Sequence, residues 1–284
     1  MHGTLRDIAL YYDVMDLWTR WNAGFRSFSG REAQAIHRWL TNPVSGEFSP
    51  RTIHQIMLGL SFARRDTIDA LDAGCGYGGS MLAFHAALGG RWHGMTISRR
   101  QYAAGRAAAR RKGVTGAVSF ALASFDQPQP AAYDLVYAIE SLIHSADPQH
   151  TIGNLVHALR PGGSFVIVDD MPVDDVPEAS RADLAAFQRL WRCPAMPSAN
   201  AWCAHLAAAG CEVVGMQDLN PLMRPRTTPE IAQAIGEVAA RRRWRDRVGL
   251  RRIGEAETGG LLLERMHREG AVEYKLIEAR KVAP

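Results

Sequence analysis

A run of closely spaced glycines around residue 75 is the sharpest chemical signal in this sequence of 284 residues. It reads Leu71-Asp-Ala-Gly-Cys-Gly-Tyr-Gly-Gly79, so Asp72 ends an apolar stretch, and Gly74 and Gly76 precede a predicted helix. Glycines let the backbone approach a ligand closely. In dinucleotide-binding folds such a run holds a pyrophosphate, and an acid about 20 residues further on binds the ribose. Gly94-Met-Thr-Ile-Ser98 stands where that acid is expected, which disfavours a nicotinamide enzyme.

A glutamate and a histidine, Glu140 and His144, stand four residues apart at the end of a predicted strand, where open α/β sheets bind ligands. A histidine, with an ordinary pKa of ~6.5, suits proton removal from an oxygen or nitrogen nucleophile. A glutamate suits proton removal from a carbon next to a cation. Asp169 and Asp170 end the next strand, and either can orient His144. Structural roles stay open for all four: the histidine can hold its loop, Glu140 can orient the cofactor, and the aspartates can cap the strand.

Two further groups of side chains are candidates for binding a substrate, which is called the acceptor below. Aromatic residues cluster near the N-terminus, where Tyr12 or Trp18 can stack on an apolar or cationic acceptor. Segment 222–270 holds eleven arginines and seven acidic residues, and guanidinium groups match carboxylate or phosphate oxygens. Arg224 and Arg226 lie beside prolines in a predicted turn, so we expect one of them to contact an acidic group of the acceptor. Core packing of the aromatics and a solvated basic surface are the alternatives.

Hydrophobic periodicity places these residues on alternating strands and helices. From residue 67 short apolar stretches alternate with alanine-rich helices, which is typical of a mostly parallel sheet with helices on both faces. Seven strands are predicted, at 67–71, 92–97, 118–121, 134–139, 164–168, 212–217 and 272–279, with helices near 78–89, 99–112 and 149–159. Residues 7–40 predict amphipathic helices, and a further helix is expected from Ser49-Pro50 to about Arg64.

The pattern divides the chain into three parts and predicts an α/β fold with a Rossmann-like, seven-stranded, mostly parallel sheet. Residues 1–66 are expected to form a helical arm or lid, and residues 67–170 the ligand-binding core. Residues 171–284 are expected to supply cap insertions that bind the acceptor, together with the last two strands. Stretches 171–200 and 220–270 are too long for simple connections, so we expect them to cover the carboxyl edge of the sheet.

Composition excludes several classes of protein. With 47% hydrophobic and 22% charged residues the chain is not disordered, and no apolar run approaches the about 20 residues of a membrane helix. The N-terminus lacks a signal-peptide core, so we expect a soluble, cytoplasmic protein. The four cysteines and the histidines show no metal-ligand spacing, so no metal is expected. Seven arginines crowd into 241–252, but without an RNA-binding module or a base-flipping motif we expect no nucleic-acid partner.

Four motifs in the right order make the chain resemble the class I S-adenosylmethionine-dependent methyltransferases. The glycine run resembles their first motif, Asp-x-Gly-x-Gly-x-Gly. Gly94-Met-Thr-Ile-Ser-Arg-Arg-Gln101 resembles the second-strand motif of the small-molecule group that includes cyclopropane-fatty-acid synthase and the tocopherol and prenyl-diphosphate methyltransferases. Tyr133-Asp-Leu-Val-Tyr-Ala-Ile-Glu-Ser141 resembles the fourth-strand motif, and Leu159-Arg-Pro-Gly-Gly163 resembles the turn before strand five. The resemblance covers about residues 67–170 and extends to natural-product O-methyltransferases.

This resemblance implies S-adenosyl-L-methionine as the cofactor and S-adenosyl-L-homocysteine as the product. The glycine run then lies at the methionine and ribose end of the cofactor, and the second motif lies on its ribose and adenine side. Ser124-Phe125 stands where many relatives have an acid and an apolar residue beside adenine. The implied cofactor residues are Asp72, Gly74, Cys75, Gly76, Thr96, Ser98, Gln101, Ser124, Phe125 and Glu140. Together with the residues argued above from position and charge, the candidate acceptor residues are Tyr12, Trp18, Asp169, Arg224 and Arg226, with His144 and Glu140 as the catalytic candidates.

The sequence therefore predicts a methyltransferase for a small-molecule acceptor of the specialised-metabolite type. Whether the acceptor is anionic and whether the protein forms a homodimer are left open. Methylation of oxygen or nitrogen, with His144 as the base, is favoured. Methylation of an olefin or prenyl diphosphate at carbon is the alternative, with Glu140 as the proton acceptor. A non-catalytic binding protein of this fold would be expected to lose the glycines or the acidic motif, and both are intact.

Overall fold

The computed structural model describes residues 5–21, 37–247 and 251–283, and for 15–21 and 242–247 it describes the backbone alone. Its strands are β1 Leu40–Thr41, β2 Phe48–Ser49, β3 Asp69–Ala73, β4 Arg91–Thr96, β5 Val118–Leu122, β6 Tyr133–Ile139, β7 Leu159–Pro172, β8 Cys211–Asp218 and β9 Val272–Lys281. Its helices are α1 Leu5–Trp21, α2 Thr52–Met57, α3 Gly79–Leu88, α4 Arg99–Arg111, α5 Pro148–His157, α6 Glu178–Trp191, α7 Ala199–Ala208, α8 Thr228–Arg247 and α9 Arg251–Arg268. Short 3-10 turns cover Ser61–Arg64, Leu142–His144 and Asn220–Leu222. No helix within these ranges is long and apolar enough to cross a lipid bilayer.

Seven strands form one sheet in the order β5-β4-β3-β6-β7-β9-β8. The pairs from β5 to β7 are parallel, whereas β9 runs antiparallel to both β7 and β8. The strand order reverses between β3 and β6, and ligands of open α/β sheets bind in the crevice at such a reversal, outside the carboxyl ends of the strands. The predicted seven-stranded, mostly parallel sheet is confirmed, and its topology places the glycine run beside the end of β6.

Alternate side chains of the central strands fill two separate cores, one on each face of the sheet. On one face Tyr137 of β6 packs with Met81 and Phe84 of α3. On the other face Val136 packs with apolar side chains of α5 and α7, including Trp202. Because both faces are covered, the central strands are apolar along most of their length, and polar side chains appear chiefly where the strands end.

Helices α1, α6 and α9 approach one another near the end of β6. Helices α6 and α9 share a third apolar cluster with Ile143, which follows β6. The Asp7 carboxylate of α1 pairs with Arg192 at 3.3 Å and with Arg252 at 2.8 Å. One turn and a half further along α1, Asp13 accepts a hydrogen bond from Ser98 at the start of α4. Helix α1 is therefore bonded near its N-terminus to Arg192, which follows α6, and to Arg252 of α9, and near its middle to the start of α4.

Three predicted elements differ from the structure: the helices expected over 7–40 do not reach 37–40, where the chain is irregular and then enters β1, and two others differ in extent. The expected helix from Ser49-Pro50 to Arg64 is wrong: α2 covers only Thr52–Met57, and the N–H of Gly59 bonds to the Ile56 carbonyl in a tight turn that ends it. Glycine is a poor helix former, so the chain continues as a separate 3-10 turn. Strand β7 begins at Leu159, earlier than expected, because Leu159 already pairs with Tyr133 before the register shifts.

Candidate active site

The glycine run forms a tight turn between β3 and α3. The N–H groups of Gly74 and Cys75 both donate to the Met95 carbonyl, at 3.1 and 2.8 Å, which ties the turn to β4. Gly74 has a φ of +98°, and a Cβ there would lie 2.4 Å from the Cβ of Ser141. Gly76 has a φ of +53°, and a Cβ there would meet nothing within 4 Å. Glycine is therefore required sterically at position 74, whereas the backbone at position 76 borders open space, as a ligand cradle requires.

Asp72, at the end of β3, is a buried carboxylate with a neutral hydrogen-bond donor. It is 3% exposed and accepts a hydrogen bond of 2.8 Å from the Tyr137 hydroxyl. Burial raises the pKa of Asp72 to about 7, and the hydrogen bond from Tyr137 opposes that rise. Because this donor carries no charge, a cation brought by a ligand would stabilise the ionised form.

The polar residues at the end of β4 form one hydrogen-bonded group. Thr96 Oγ1 donates to Gln101 Oε1 at 2.9 Å, and the Ser98 side chain caps α4 by accepting from the Gln101 N–H. Ser98 Oγ in turn donates to Asp13 Oδ1 at 2.5 Å, and the N–H of Arg100 lies 3.4 Å from the same oxygen. A carboxylate thus stands close to where the sequence lacks an acid, but α1 supplies it.

Ser124 and Phe125 follow β5. Ser124 Oγ donates to Asp126 Oδ2 at 3.0 Å, and the other oxygen of Asp126 accepts from Thr151 at 2.6 Å. Phe125 is partly buried against the core that α5 and α7 cover. The acid expected at position 124 is therefore replaced by a serine that is bonded to an aspartate two residues later.

Glu140 is held in a strained conformation by two partners from distant parts of the chain. Its φ of +53° lies in the left-handed region, which costs a residue with a side chain about 1 kcal/mol. Its Oε1 accepts from the backbone N–H of Arg38 at 2.8 Å and from the Tyr274 hydroxyl at 2.7 Å. Burial raises the pKa of Glu140, and the positive charge of Arg38 opposes that rise. Strain that persists at a strand end above a sheet points to a functional position.

The neighbouring aspartates have unlike surroundings. Both oxygens of Asp170 accept from the Arg38 guanidinium at 2.8 Å, and His267 Nε2 lies 2.8 Å from one of them. Burial alone would raise the pKa of Asp170, but Arg38 and His267 hold it below the ordinary value. Asp169 is fully buried and accepts from the N–H groups of Ile143 and Asp170. Burial and the charge of Asp170 raise the pKa of Asp169 well above its ordinary value.

His144 ends the 3-10 turn after β6, and both of its ring nitrogens have partners. Nε2 lies 2.5 Å from the Tyr12 hydroxyl, and Nδ1 lies 3.2 Å from the carbonyl oxygen of Arg192. Burial lowers the pKa of His144 to about 4, although the hydrogen bond to Arg192 opposes this. The imidazole is therefore neutral at ordinary pH. The Arg192 carbonyl orients it, and not Asp169 or Asp170 as the sequence suggested.

Two of the other predicted acceptor residues bond to neighbouring protein groups, and the side chain of the third lies outside the described residues. Arg224 donates to Thr41 at 2.9 Å, on the ribbon of β1 and β2. Arg226 forms a salt bridge with Glu264 of α9. Trp18 belongs to α1, but its side chain lies outside the described residues.

The structure brings together residues that sequence reasoning named separately and adds others that it missed. Besides bonding to His144, the Tyr12 hydroxyl experiences the charges of Asp169 and Glu140. Ser141 Oγ donates to the Ala73 carbonyl at 2.5 Å, so the loop that carries Glu140 and His144 touches the glycine turn. Tyr137 lies in the fourth-strand motif, and the expected pairing of that strand with β3 could have predicted its contact with Asp72. No local signal marked the other missed partners, which are Asp13, Arg38, Arg192 and Tyr274.

A family model described as a methyltransferase domain matches residues 70–163. That range contains the glycine turn, the polar group after β4 and the loop that carries Glu140 and His144. The partners that hold Glu140 and His144, from α1, Arg38, Arg192 and β9, lie outside it.

The chain is similar over part of its length to curated proteins of different activity. The O-methyltransferase cnsE of Penicillium expansum is 33% identical over 180 residues, which cover 62% of this chain and 62% of that protein. The sarcosine/dimethylglycine N-methyltransferase of Halorhodospira halochloris is 33% identical over 149 residues, which cover 50% of this chain and 53% of that protein. The chain thus spans about half to three fifths of the length of these relatives. The cyclopropane synthase MmaA2 of Mycobacterium tuberculosis has a TM-score of 0.73 with 15% identity over 99% of both chains, a likeness of fold alone.

Proposed function

We propose that this chain, a class I S-adenosylmethionine-dependent methyltransferase, transfers a methyl group to an oxygen or nitrogen atom of a small-molecule acceptor. Its cofactor, S-adenosyl-L-methionine, supplies the methyl on a sulfonium and carries an ammonium group. The open backbone at Gly76 and the buried Asp72 carboxylate with its neutral donor fit these groups. In this proposal residues 67–170 bind the cofactor, and segments 1–66 and 171–284 enclose a specialised-metabolite acceptor.

Methyl transfer asks a protein to align a nucleophile with the sulfur–methyl bond, to exclude water and to accept one proton. The observation that carries the proposal is the neutral His144, which lies in the loop that touches the glycine turn. Its Nε2 is directed at the Tyr12 hydroxyl of α1. A neutral imidazole has one nitrogen that accepts a proton. The Ser141 contact with the Ala73 carbonyl holds the loop that carries His144 against the glycine turn, which supports a proton acceptor close to the proposed methyl donor.

Methylation at carbon is the second candidate, and Glu140 favours it. Its carboxylate is buried in a strained loop, where it receives two hydrogen bonds on one oxygen. A carboxylate so placed could accept the proton that a carbocation loses after an alkene attacks the methyl group. Likeness of fold to a cyclopropane synthase is consistent with such chemistry but does not select it.

An anionic acceptor is a further part of the proposal, with Arg224 and Arg226 as its ligands. Arg226 now pairs with Glu264, so an acceptor carboxylate or phosphate would have to compete with that side chain. Either Arg224→Ala or Arg226→Ala should therefore raise the KM for an anionic acceptor while leaving kcat unchanged. An unchanged KM in both variants would remove these arginines from the acceptor site.

The direct test is transfer of radiolabelled methyl from S-adenosyl-L-methionine to a panel of phenols, hydroxylated polyketides, secondary amines and prenyl diphosphates. His144→Ala should lower turnover by ~10²- to 10⁴-fold with unchanged affinity for S-adenosyl-L-homocysteine, and Glu140→Gln should lower it less. The reverse order, with label on carbon, would favour the second candidate. Absence of transfer to every member of the panel would count against the proposed function.

A further inference from the structure

The hydrogen-bond partners of His144 determine which nitrogen carries its hydrogen. Nδ1 lies 3.2 Å from the Arg192 carbonyl, which can only accept, and 3.9 Å from Cys193 Sγ, a weaker partner, so we assign the hydrogen of the neutral ring to Nδ1. Nε2 then has a lone pair and accepts from the Tyr12 hydroxyl at 2.5 Å. The two rings meet edge to face, with centroids 5.3 Å apart. The single basic position of His144 is therefore already occupied, by a residue of α1.

An acceptor hydroxyl cannot bond to Nε2 while Tyr12 occupies it, but the Tyr12 oxygen keeps lone pairs that can accept a hydrogen bond. We propose that Tyr12 is the catalytic residue that touches the acceptor, and that it relays the acceptor's proton to His144. This inference rests on the proposed function, because it names the path that the proton takes in that reaction. His144 is then the final proton acceptor and the group that positions Tyr12.

Each bond that the relay breaks is matched by one that it forms. The acceptor O–H or N–H bond breaks, and its proton moves to the Tyr12 oxygen as the Tyr12 proton moves to His144 Nε2. The nucleophile's electron pair forms the bond to the methyl carbon, and the electron pair of the carbon–sulfur bond stays on the sulfur of S-adenosyl-L-homocysteine. Tyr12 ends neutral, and His144 ends as an imidazolium that loses its proton to solvent after product release.

The ionisation of both groups agrees with a relay. Burial raises the pKa of Tyr12 well above its ordinary value, and the nearby carboxyl groups of Asp169 and Glu140 raise it further. Tyr12 therefore passes a proton on and does not exist as a free phenolate. A weakly basic His144 is sufficient, because an oxygen or nitrogen that has begun to bond to a methyl group becomes a far stronger acid than the free acceptor.

Helix α1 is fixed on both sides of Tyr12. Asp7 pairs with Arg192 and Arg252, and Asp13 accepts from Ser98. Arg192 thereby acts twice, since its carbonyl fixes the His144 tautomer and its guanidinium holds α1. Such anchoring keeps the phenol within hydrogen-bond reach of the imidazole, as proton transfer requires.

The first test is nitrogen-15 NMR of the histidines with saturating S-adenosyl-L-homocysteine, which needs no acceptor. Wild type should show the Nδ1–H tautomer of His144, and Tyr12→Phe should shift the Nε2 resonance because its donor is lost. Tyr11→Phe is the matched control, since it removes a phenol hydroxyl from the adjacent residue, and it should leave that resonance in place. An Nε2–H tautomer, or no shift in Tyr12→Phe, would overturn the relay.

The second test is single-turnover methyl transfer to whichever panel acceptor the wild type methylates. Tyr12→Phe and His144→Ala should each slow the step by ~10²-fold or more, and the double variant should be no slower than the slower single variant. Tyr11→Phe should stay near wild type. Multiplying losses, or a Tyr12→Phe rate equal to that of Tyr11→Phe, would overturn the relay while the proposed function stands. A wild type that transfers no label would instead refute the proposed function itself.

Discussion

Replacing Asp72 by asparagine is expected to stabilise the free protein. Burial raises the pKa of Asp72 to about 7, whereas the same residue in the unfolded chain titrates near its ordinary value of 3.8. Between these values the folded state binds the extra proton, so the free energy of unfolding falls as the pH rises from about 4 to 7. Ionising Asp72 in the fold therefore costs about 4 kcal/mol at most, and Asp72→Asn removes that cost above pH 7. Asparagine keeps an oxygen that accepts from Tyr137.

Cofactor affinity should change in the opposite direction. If the ammonium of S-adenosyl-L-homocysteine pairs with the ionised carboxylate, the pKa of Asp72 falls in the complex and binding releases a proton. At pH 6 only about a tenth of the free protein has Asp72 ionised, so affinity should be about tenfold weaker than at pH 8. Asp72→Asn should bind the ligand more weakly at pH 8 and lose this pH dependence.

Calorimetric titration at pH 6, 7 and 8, in buffers of different ionisation enthalpy, measures both the affinity and the proton released. Thermal unfolding of the free proteins at pH 8 measures the stability change, for which a rise of several degrees in Tm is expected. Tyr137→Phe serves as a control, because loss of its hydrogen bond should raise the pKa of Asp72 and move the transition in affinity to higher pH. The reasoning is refuted by a pH-independent affinity without proton release, or by an Asp72→Asn protein less stable than wild type.

Two further predictions concern the glycine turn and the anchoring of α1. Gly74→Ala should destabilise the protein and abolish S-adenosyl-L-homocysteine binding, because its Cβ would lie 2.4 Å from that of Ser141. Gly76→Ala, which meets no such neighbour, should retain most of the stability in thermal unfolding and show mainly weaker binding; equal losses of stability would contradict this. Asp7→Asn should speed tryptic cleavage within α1, since the Asp7 carboxylate joins this helix to Arg192 and to Arg252 of α9. Asp13→Asn should instead weaken S-adenosyl-L-homocysteine binding, and unchanged calorimetric titrations would show that Asp13 has no part in the cofactor site.

The sequence predicted the elements whose periodicity is local and missed the contacts that join distant segments. All seven strands of the main sheet were predictable because each is a short apolar stretch bounded by polar or glycine residues. The helix expected as far as Arg64 failed because apolar spacing continues past Gly59, where the backbone turns. The Arg192 carbonyl cannot be inferred from any spacing, since it is a backbone group 48 residues from His144 in the chain.

The matched domain and the segments around it have separable roles. The glycine turn and Asp72 lie within residues 70–163 and depend on strands of the same range, so the proposed cofactor site lies mainly within the matched domain. Glu140 and His144 lie in that range too, but the groups that position them lie outside it: Tyr12, Arg38, Arg192 and Tyr274. If the proposed function holds, contacts from the flanking segments therefore help to decide whether His144 or Glu140 accepts the proton. Substitutions of Tyr12 or Tyr274, whose side chains make these contacts, should change methyl transfer while leaving affinity for S-adenosyl-L-homocysteine unchanged, in contrast to Asp13→Asn.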